Sequence, residues 1–217
     1  MPPSNRFIPA KESPLFIKLF DIYCKVLFWR RFSSVNIDLN YDPQSSRKTI
    51  YYLNHNSWWD GLIPFYLNQN YFHQNARGIM EDKQLEKYSF FSRLGVFSIN
   101  LDNPRSSIHS LRYVIESMDR PKSSLYMYPQ GKIVPFTVDK LNFKKGIGWL
   151  CKQLPEVDVV PVAIHIHTMY DDKPKLNISV GSAVKIDHTD ADADEINQLL
   201  EERLSSLLTT LVEKSTK

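Results

Sequence analysis

Short apolar runs alternate along this chain with longer stretches in which apolar residues recur every three or four positions. The short runs are typical of buried strands, and the spacing of three or four predicts helices. Strands are predicted at 35–37, 49–53, 76–80, 95–102, 123–127, 157–167 and 176–180, and helices at 61–75, 84–94, 106–118, before 154 and from 192 or 194 to 211. The alternation predicts an α/β fold, a single domain with a mainly parallel or mixed sheet flanked by helices.

The N-terminal part differs in composition from the rest. Residues 1–14 are punctuated by four prolines, which predicts an irregular arm ahead of a domain at 15–217. Residues 15–32 carry apolar residues at helical spacing and end in a tryptophan and two arginines. This pattern is typical of an amphipathic helix lying in a membrane interface. A helix packed on the domain core fits the same pattern equally well.

Composition narrows the function classes. The chain has 217 residues, and its 27 basic against 24 acidic residues give a net charge of only +3. That balance is too mild to argue for nucleic acid, but it is compatible with a local basic patch on a membrane surface. No apolar run reaches the roughly 18 residues of a membrane span, and the polar start is unlike a signal peptide. Two cysteines give no disulfide framework and indicate a reducing compartment, so the predicted location is the cytoplasm.

The polar stretch NHNSWWDG directly follows the predicted strand 49–53. On one continuous helix the five-residue separation would point His55 and Asp60 apart, whereas a turn between strand and helix can bring them together. Asp60 could then accept the proton of one ring nitrogen of His55 and leave the other nitrogen basic. The structural alternative is that His55 caps the helix and that Trp58 and Trp59 belong to the core.

Three predicted strands end in tightly turned polar sequence, NHNSWWD, INLDNPR and YPQGK. In an α/β sheet such turns converge at one edge and form the site there. With these blocks the chain resembles the glycerolipid acyltransferases, the superfamily of glycerol-phosphate and lysophosphatidate acyltransferases. NHNSWWD resembles the family's N-H-x-S-x-x-D, LGVFSINLD its G-x-x-F-I-x-R, YPQGK its F-P-E-G-T-R, and VVPVAI its V-P-V-x-I. FKKG also recurs in such enzymes, and the match spans residues 48–166.

The resemblance implies transfer of a fatty acyl group to a hydroxyl of a lipid-like acceptor. Acyl-CoA or an acyl-carrier protein would be the donor and co-substrate, and no further cofactor is implied. Transfer from a thioester to an alcohol needs a base and donors for the developing oxyanion, and His55 with Asp60 as its orienting partner suits the first task. No G-x-S-x-G sequence exists, and neither cysteine lies near these turns. Direct attack by the acceptor, without an acyl-enzyme, is therefore predicted.

The predicted substrate contacts lie in the same blocks and are Asn54, Ser57, Gln130, Gly131, Lys132 and Arg105. A glycine after the proline of YPQGK lets the backbone approach a substrate closely, and its amide is a candidate oxyanion donor. The alternative is that Gly131 is only a turn glycine.

Three positions depart from the family pattern. The usual glutamate of the third block is Gln130, and the usual arginines of the second and third blocks fall on Leu101 and Ile133. In the family these arginines are taken to hold the phosphate of the acceptor. Aliphatic replacements suit an acceptor without phosphate at its reacting end, such as a sugar hydroxyl of a glycolipid. The basic residues near enough in sequence to restore the charge are Lys132, Arg105, Lys144 and Lys145, although a solvated surface explains the last two as well.

Other readings remain open at this level. His165 and His167 share one face of a strand, as paired zinc ligands sometimes do, but no third ligand has suitable spacing, so no metal is predicted. The chain could be a non-catalytic relative that binds lipid, or a thioesterase-like hydrolase that uses the same base on water. The predicted partners are a membrane surface on its cytoplasmic face, the acyl donor and a lipid alcohol, with no nucleic acid.

Overall fold

The computed structural model describes residues 7–43, 47–137, 140–168, 172–187 and 189–215, with the side chains of Pro104 and Arg105 excepted. The strands are β1 (Ser34–Leu39), β2 (Thr49–Leu53), β3 (Asn75–Glu81), β4 (Val96–Ile99), β5 (Ser123–Met127), β6 (Asp158–His167) and β7 (Lys175–Val180). The α-helices are α1 (Pro14–Arg31), α2 (Ile63–Leu67), α3 (Asp82–Lys87), α4 (Pro104–Met118), α5 (Gly146–Gln153) and α6 (Ala193–Ser215). Short 3₁₀ or π turns lie at Trp58–Leu62, Asn68–Phe72 and Ser89–Leu94.

The strands described form a seven-stranded sheet in the order β1-β7-β6-β2-β5-β3-β4. Neighbouring strands run parallel except for the antiparallel pair β6 and β7. Because β2, β5 and β6 are central and parallel, their carboxyl ends meet at one edge of the sheet. β2 and β5 are buried along their whole length, as a sheet covered on both faces requires. The predicted α/β fold with a mixed sheet and an N-terminal helix is confirmed.

Each face of the sheet has its own core. One core joins the sheet to α1 and α2 and includes the stacked rings of Phe72, Tyr51 and Tyr126. The other joins the sheet to α4, α5 and α6, and a row of α6 leucines is fully buried there. The alternation of side chains along each strand therefore supplies both cores.

Helix α1 begins at Pro14, where Ser13 Oγ accepts a hydrogen bond from the Phe16 N–H at 3.4 Å. It packs on the core through Phe20, Cys24 and Phe28. The opposite side of the helix is also apolar, yet it is exposed. We call this row the α1 stripe; its members are Leu15, Leu19, Ile22, Val26 and Trp29, which are 49% to 79% exposed. No helix among the residues described is long and apolar enough to cross a bilayer.

Residues 7–13 of the N-terminal arm lie along the sheet edge. The Ile8 N–H donates to Ser98 Oγ at 2.7 Å, and the Ser98 N–H donates back to the Ile8 carbonyl at 2.9 Å. Further along the arm, Glu12 forms ion pairs with Arg77 and Arg120. These contacts attach the arm to β4, the edge strand, and to its surroundings.

The single helix predicted at 84–94 is wrong. Two short elements, α3 and the 3₁₀ turn Ser89–Leu94, replace it, with a break at Tyr88 (φ −117°, ψ 55°). The first starts two residues earlier than predicted, at Asp82, whose carboxylate accepts the Lys83 N–H at 2.7 Å within the first turn. The apolar spacing alone does not encode the division of this segment into two elements.

Candidate active site

The site lies where β2 and β5 end side by side. NHNSWWD follows β2 and YPQGK follows β5, so the parallel pairing of these strands places both turns together at the carboxyl edge of the sheet. INLDNPR follows β4, which is separated from β5 by β3. All three turns share this edge, as predicted, but the structure brings only the first two into direct contact with each other through His55.

The turn between strand and helix brings the side chains of His55 and Asp60 within hydrogen-bond distance. His55 Nδ1 lies 3.1 Å from Asp60 Oδ2, and that oxygen also accepts the backbone N–H groups of Asn56 (2.6 Å) and Ser57 (2.8 Å). Ser57 Oγ donates to the other carboxylate oxygen at 2.8 Å. Since backbone N–H groups only donate, this oxygen is an acceptor, and the proton between the side chains belongs to Nδ1. In the neutral ring, Nε2 then carries the free lone pair and can act as a base.

The Asp60 side chain is only 1% exposed, whereas that of His55 is 18% exposed. The buried carboxylate is therefore fully occupied by its donors while the ring reaches solvent. The alternative in which His55 caps the helix is wrong, because the 3₁₀ turn begins after Ser57. Trp59 packs on Phe32, but Trp58 is 47% exposed and is no core residue.

Tyr128, the first residue of YPQGK, is a site residue that the sequence reasoning missed. Its ring stacks on the His55 ring with centroids 4.2 Å apart, and its hydroxyl donates to the Asp60 carbonyl at 2.5 Å. Burial raises the pKa of this hydroxyl well above its ordinary value, so it remains a donor. Tyr128 therefore holds both His55 and Asp60 in place. The only sequence signal was a tyrosine where the resembling block has phenylalanine.

Gln130 is joined to the base by a backbone contact. Its Oε1 accepts the His55 N–H at 2.7 Å, which settles the orientation of the amide, since only the oxygen can accept. The side chain is 3% exposed, and its Nε2 has no hydrogen-bond partner among the described residues. A buried amide donor without a partner costs about 1–3 kcal/mol, which a substrate oxygen would recover. This geometry is compatible with the predicted substrate contact.

Gly131 adopts a left-handed conformation (φ +70°), which favours glycine. Its N–H donates to the Tyr128 carbonyl at 2.9 Å and closes the turn. The amide is consequently occupied, and the expectation that it is free to hold an oxyanion does not fit this structure.

The other predicted substrate contacts fall into different environments. Asn54 is fully buried: its Nδ2 donates to Asn56 Oδ1 and to the Ile164 carbonyl, and its Oδ1 accepts the Ile164 N–H. This differs from the predicted substrate contact, because the amide ties β2 to β6 and has no hydrogen left to donate. Ser57 is half-buried and supports Asp60, as described above. Lys132 is exposed beside the site, and the side chain of Arg105 lies outside the described residues.

The positions of the missing arginines differ from each other. Leu101 is half-buried in the turn after β4, and Ile133 is 51% exposed in the loop after YPQGK. That loop is held against the site, since the Val134 N–H donates to the His55 carbonyl at 3.0 Å and Asn56 Nδ2 donates to the Val134 carbonyl at 3.1 Å. The aliphatic side chain of Ile133 is thus exposed in a loop that is bonded to the site.

An apolar cavity opens beside the pair. It has a volume of about 620 Å³, counting the space at its opening, and lies between the sheet and α2. Gly61 and Tyr128 line the end nearest His55, and Asn68 and Ala76 line the far end. Along β3 the lining runs from Met80 to Ala76, roughly 13 Å at the usual rise of a strand. Gly78, midway, packs closely on Val96, since a Cβ there would lie 3.2 Å from a Val96 methyl.

The nucleophiles and metal ligands considered from the sequence lie elsewhere. Cys24 and Cys151 are buried, and burial raises the pKa of each thiol to about 12, so neither supplies a thiolate. His165 Nδ1 is 2.7 Å from Ser215 Oγ, and its ring stacks on that of His167 with centroids 4.9 Å apart. In the part of the chain that is described, no three His, Cys, Asp or Glu side chains are grouped to hold a metal ion.

Comparison with known proteins gives the class. The acyltransferase family model matches residues 35–165, a region that contains all four blocks, and the chain belongs to the acyltransferase family. The fold is similar to the crystal structure of the 1-acyl-sn-glycerophosphate (LPA) acyltransferase, PlsC, from Thermotoga maritima, with a TM-score of 0.65 and 20% identity over 90% of this chain and 79% of that chain. No curated protein matches. The resemblance to the glycerolipid acyltransferase superfamily is confirmed.

Proposed function

We propose that this protein transfers a fatty acyl group from a thioester donor, acyl-CoA or an acyl-carrier protein, to a hydroxyl of a lipid alcohol. The observation that carries the proposal is the junction of two features at Tyr128. This residue stacks on His55, and it also lines the apolar cavity. A base and a space of low polarity for a hydrocarbon chain are what an enzyme acting on fatty acyl thioesters needs.

The chemistry requires no covalent intermediate with the protein. His55 Nε2 takes the proton of the acceptor hydroxyl while its oxygen attacks the thioester carbonyl carbon. The tetrahedral intermediate then collapses, the carbon–sulfur bond breaks, and the protonated His55 returns its proton to the leaving thiolate. The products are an ester and a free thiol. Asp60 stabilises the imidazolium that forms between these steps, as a carboxylate orienting a histidine does in other acyl transfers.

We further propose that the acceptor carries no phosphate at its reacting end. Bidentate recognition of phosphate favours arginine, and the two family arginine positions are aliphatic here, Leu101 and the exposed Ile133. Gln130 Nε2, a buried donor without a partner, suits a neutral hydroxyl or carbonyl oxygen. A neutral lipid alcohol, such as a sugar hydroxyl of a glycolipid, fits both features.

Free-thiol release from acyl-CoA, measured with and without acceptors, tests this function. We expect release to depend on a neutral glycolipid acceptor and to exceed that with glycerol-3-phosphate or lysophosphatidate by at least about tenfold. Release without any acceptor would indicate a hydrolase, and absence of release with every acceptor would indicate a lipid-binding relative. Efficient turnover of a phosphate acceptor that is lost in Lys132→Ala would contradict the proposed neutral acceptor. It would indicate an enzyme of phospholipid synthesis.

We also propose that the protein binds peripherally to the cytoplasmic face of a membrane through the α1 stripe. An exposed apolar row is unusual on a soluble surface, and the same helix also exposes the basic side chains of Lys18 and Arg30. Helix α1 already packs on the core through its other side. The α1 stripe is therefore available to contact a lipid surface.

Replacing Leu19 and Ile22 together by glutamine should release the protein from anionic vesicles in a flotation assay. Burial of a leucine or isoleucine contributes about 1.5–3 kcal/mol, so each loss should weaken binding by roughly tenfold or more. Ile108→Gln on α4 is the matched control, since this residue is 48% exposed but belongs to the other side of the sheet. Unchanged flotation of the folded double variant would contradict membrane binding through the stripe.

A further inference from the structure

The segment FKKG, residues 143–146, closes over the turn YPQGK. The Lys144 N–H donates to the Pro129 carbonyl at 2.8 Å. Its side chain then lies across Gly131, because a Cβ on that glycine would be 2.9 to 3.1 Å from Lys144 Cε, Cδ and Nζ. Gly131 is thus required both by its backbone conformation and by the lysine packed above it. This packing holds the Lys144 ammonium beside the third sequence block.

The neighbouring lysine is used differently. Lys145 Nζ donates to Asp194 of α6 at 2.6 Å, which ties it to the scaffold. Lys144 has no hydrogen bond or ion pair to any side chain among the described residues. Asp102, an acid that Lys144 influences electrostatically, is itself bound to Lys83 at 2.7 Å. Of the two adjacent lysines, Lys144 is the one whose charge is left for a ligand.

The position of this charge relates it to the reaction centre. Gly131, under the lysine, follows Gln130, whose Oε1 binds the His55 N–H. The buried Gln130 Nε2, which has no partner among the residues described, lies in the same turn. An anionic group of a substrate seated at His55 would therefore pass an exposed ammonium as it leaves the site. A lysine ammonium binds phosphate as a point charge and needs no fixed geometry to do so.

We propose that Lys144 binds a phosphate of the acyl donor. The inference rests on the proposed function, in which both possible donors carry phosphate, on CoA or on the phosphopantetheine arm of a carrier protein. The proposed acceptor carries none. The two features are then consistent with each other. The site lacks the arginines that would bind a phosphate of the acceptor, and it has a lysine that can bind a phosphate of the donor. Specificity for the donor is assigned to Lys144, and the acceptor is recognised without charge.

The test compares two donors with the same acyl group, acyl-CoA and the N-acetylcysteamine thioester, which has no phosphate, with a neutral glycolipid as acceptor. Lys144→Gln should raise KM for acyl-CoA by about 10-fold to 100-fold with kcat within about twofold, the range expected from losing a charge-assisted hydrogen bond. It should leave kcat/KM for the N-acetylcysteamine thioester unchanged. Lys144→Arg should restore most of the affinity, and Lys145→Gln, the matched control, should behave as the unaltered protein with both donors.

Three results would overturn the inference. An equal loss with both donors would mean that Lys144 acts at the reacting carbonyl or only supports the turn. A loss seen only when the acceptor carries phosphate would assign the charge to the acceptor. Equal binding of CoA to the unaltered protein and to Lys144→Gln, measured by calorimetry, would exclude a donor contact. Calorimetry also separates this inference from the proposed function, because weaker CoA binding by Lys144→Gln supports it even in the absence of acyl transfer.

Discussion

Replacing His55 by alanine should lower kcat for acyl transfer by at least about 100-fold, the usual minimum share of general-base catalysis. Asp60 accepts the proton of Nδ1, so Nε2 of the neutral His55 ring is the nitrogen available as a base, and this side chain is 18% exposed. No other described side chain shares this position, as Tyr128 keeps its proton and both cysteines are remote and buried. Steady-state thiol release with saturating donor and acceptor measures the effect.

The change should leave the fold intact, since the His55 side chain is partly exposed and its backbone contacts with Gln130 and Val134 do not depend on the ring. His109→Ala, which removes an exposed histidine on α4, is the control and should keep full activity. If His55→Ala folds normally by circular dichroism and retains more than about a tenth of kcat, the assignment of the base is wrong.

Asp60→Asn should be as damaging, with kcat lowered by about 10²-fold to 10⁴-fold. Asp60 Oδ2 accepts the His55 Nδ1–H and two backbone N–H groups, so an asparagine whose amide oxygen takes this place keeps all three contacts. Its N–H₂ would face Ser57 Oγ, which can accept. The substitution therefore removes the negative charge that stabilises the imidazolium and leaves the base in place.

The control for Asp60→Asn is Ser57→Ala, which deletes one donor to the carboxylate and leaves its charge in place. It should cost less than about tenfold in kcat. Both variants should lower the melting temperature, because each weakens or removes buried hydrogen bonds of the turn. If Asp60→Asn lowers the melting temperature but not kcat, Asp60 is only a structural cap of the 3₁₀ turn.

The part of the site that is local in sequence was predictable. His55 and Asp60 are five residues apart, and the strand-to-helix turn between them follows from the apolar run 49–53 and the polar residues after it. The contacts of Tyr128 and Gln130 with His55 join residues more than seventy positions apart. They depend on β2 and β5 being neighbours, which the order of strands in the sequence does not specify. The family resemblance supplied that proximity, but not the stacking.

The orientation of helix α1 could not be predicted from its sequence, for a different reason. Its sequence is apolar around most of its circumference, so the spacing alone could not say which row faces the core. In the structure Leu19 and Ile22 belong to the exposed side, and the core takes Phe20, Cys24 and Phe28. Burial of the aromatic row is decided by tertiary contacts, for instance the edge-on packing of Phe20 against Phe65 of α2.

The arm that is hydrogen-bonded to β4 also protects the protein against aggregation through this edge strand. An open edge strand offers unpaired N–H and C=O groups to any other chain, and it is a common starting point for aggregation. Here the exchange of hydrogen bonds between Ile8 and Ser98 occupies part of that edge, and Glu12 anchors the arm to two arginines. Shortening the protein from its N-terminus to remove α1 would therefore also uncover this edge. Loss of solubility in such a truncated protein would report on strand pairing between molecules and not on lipid.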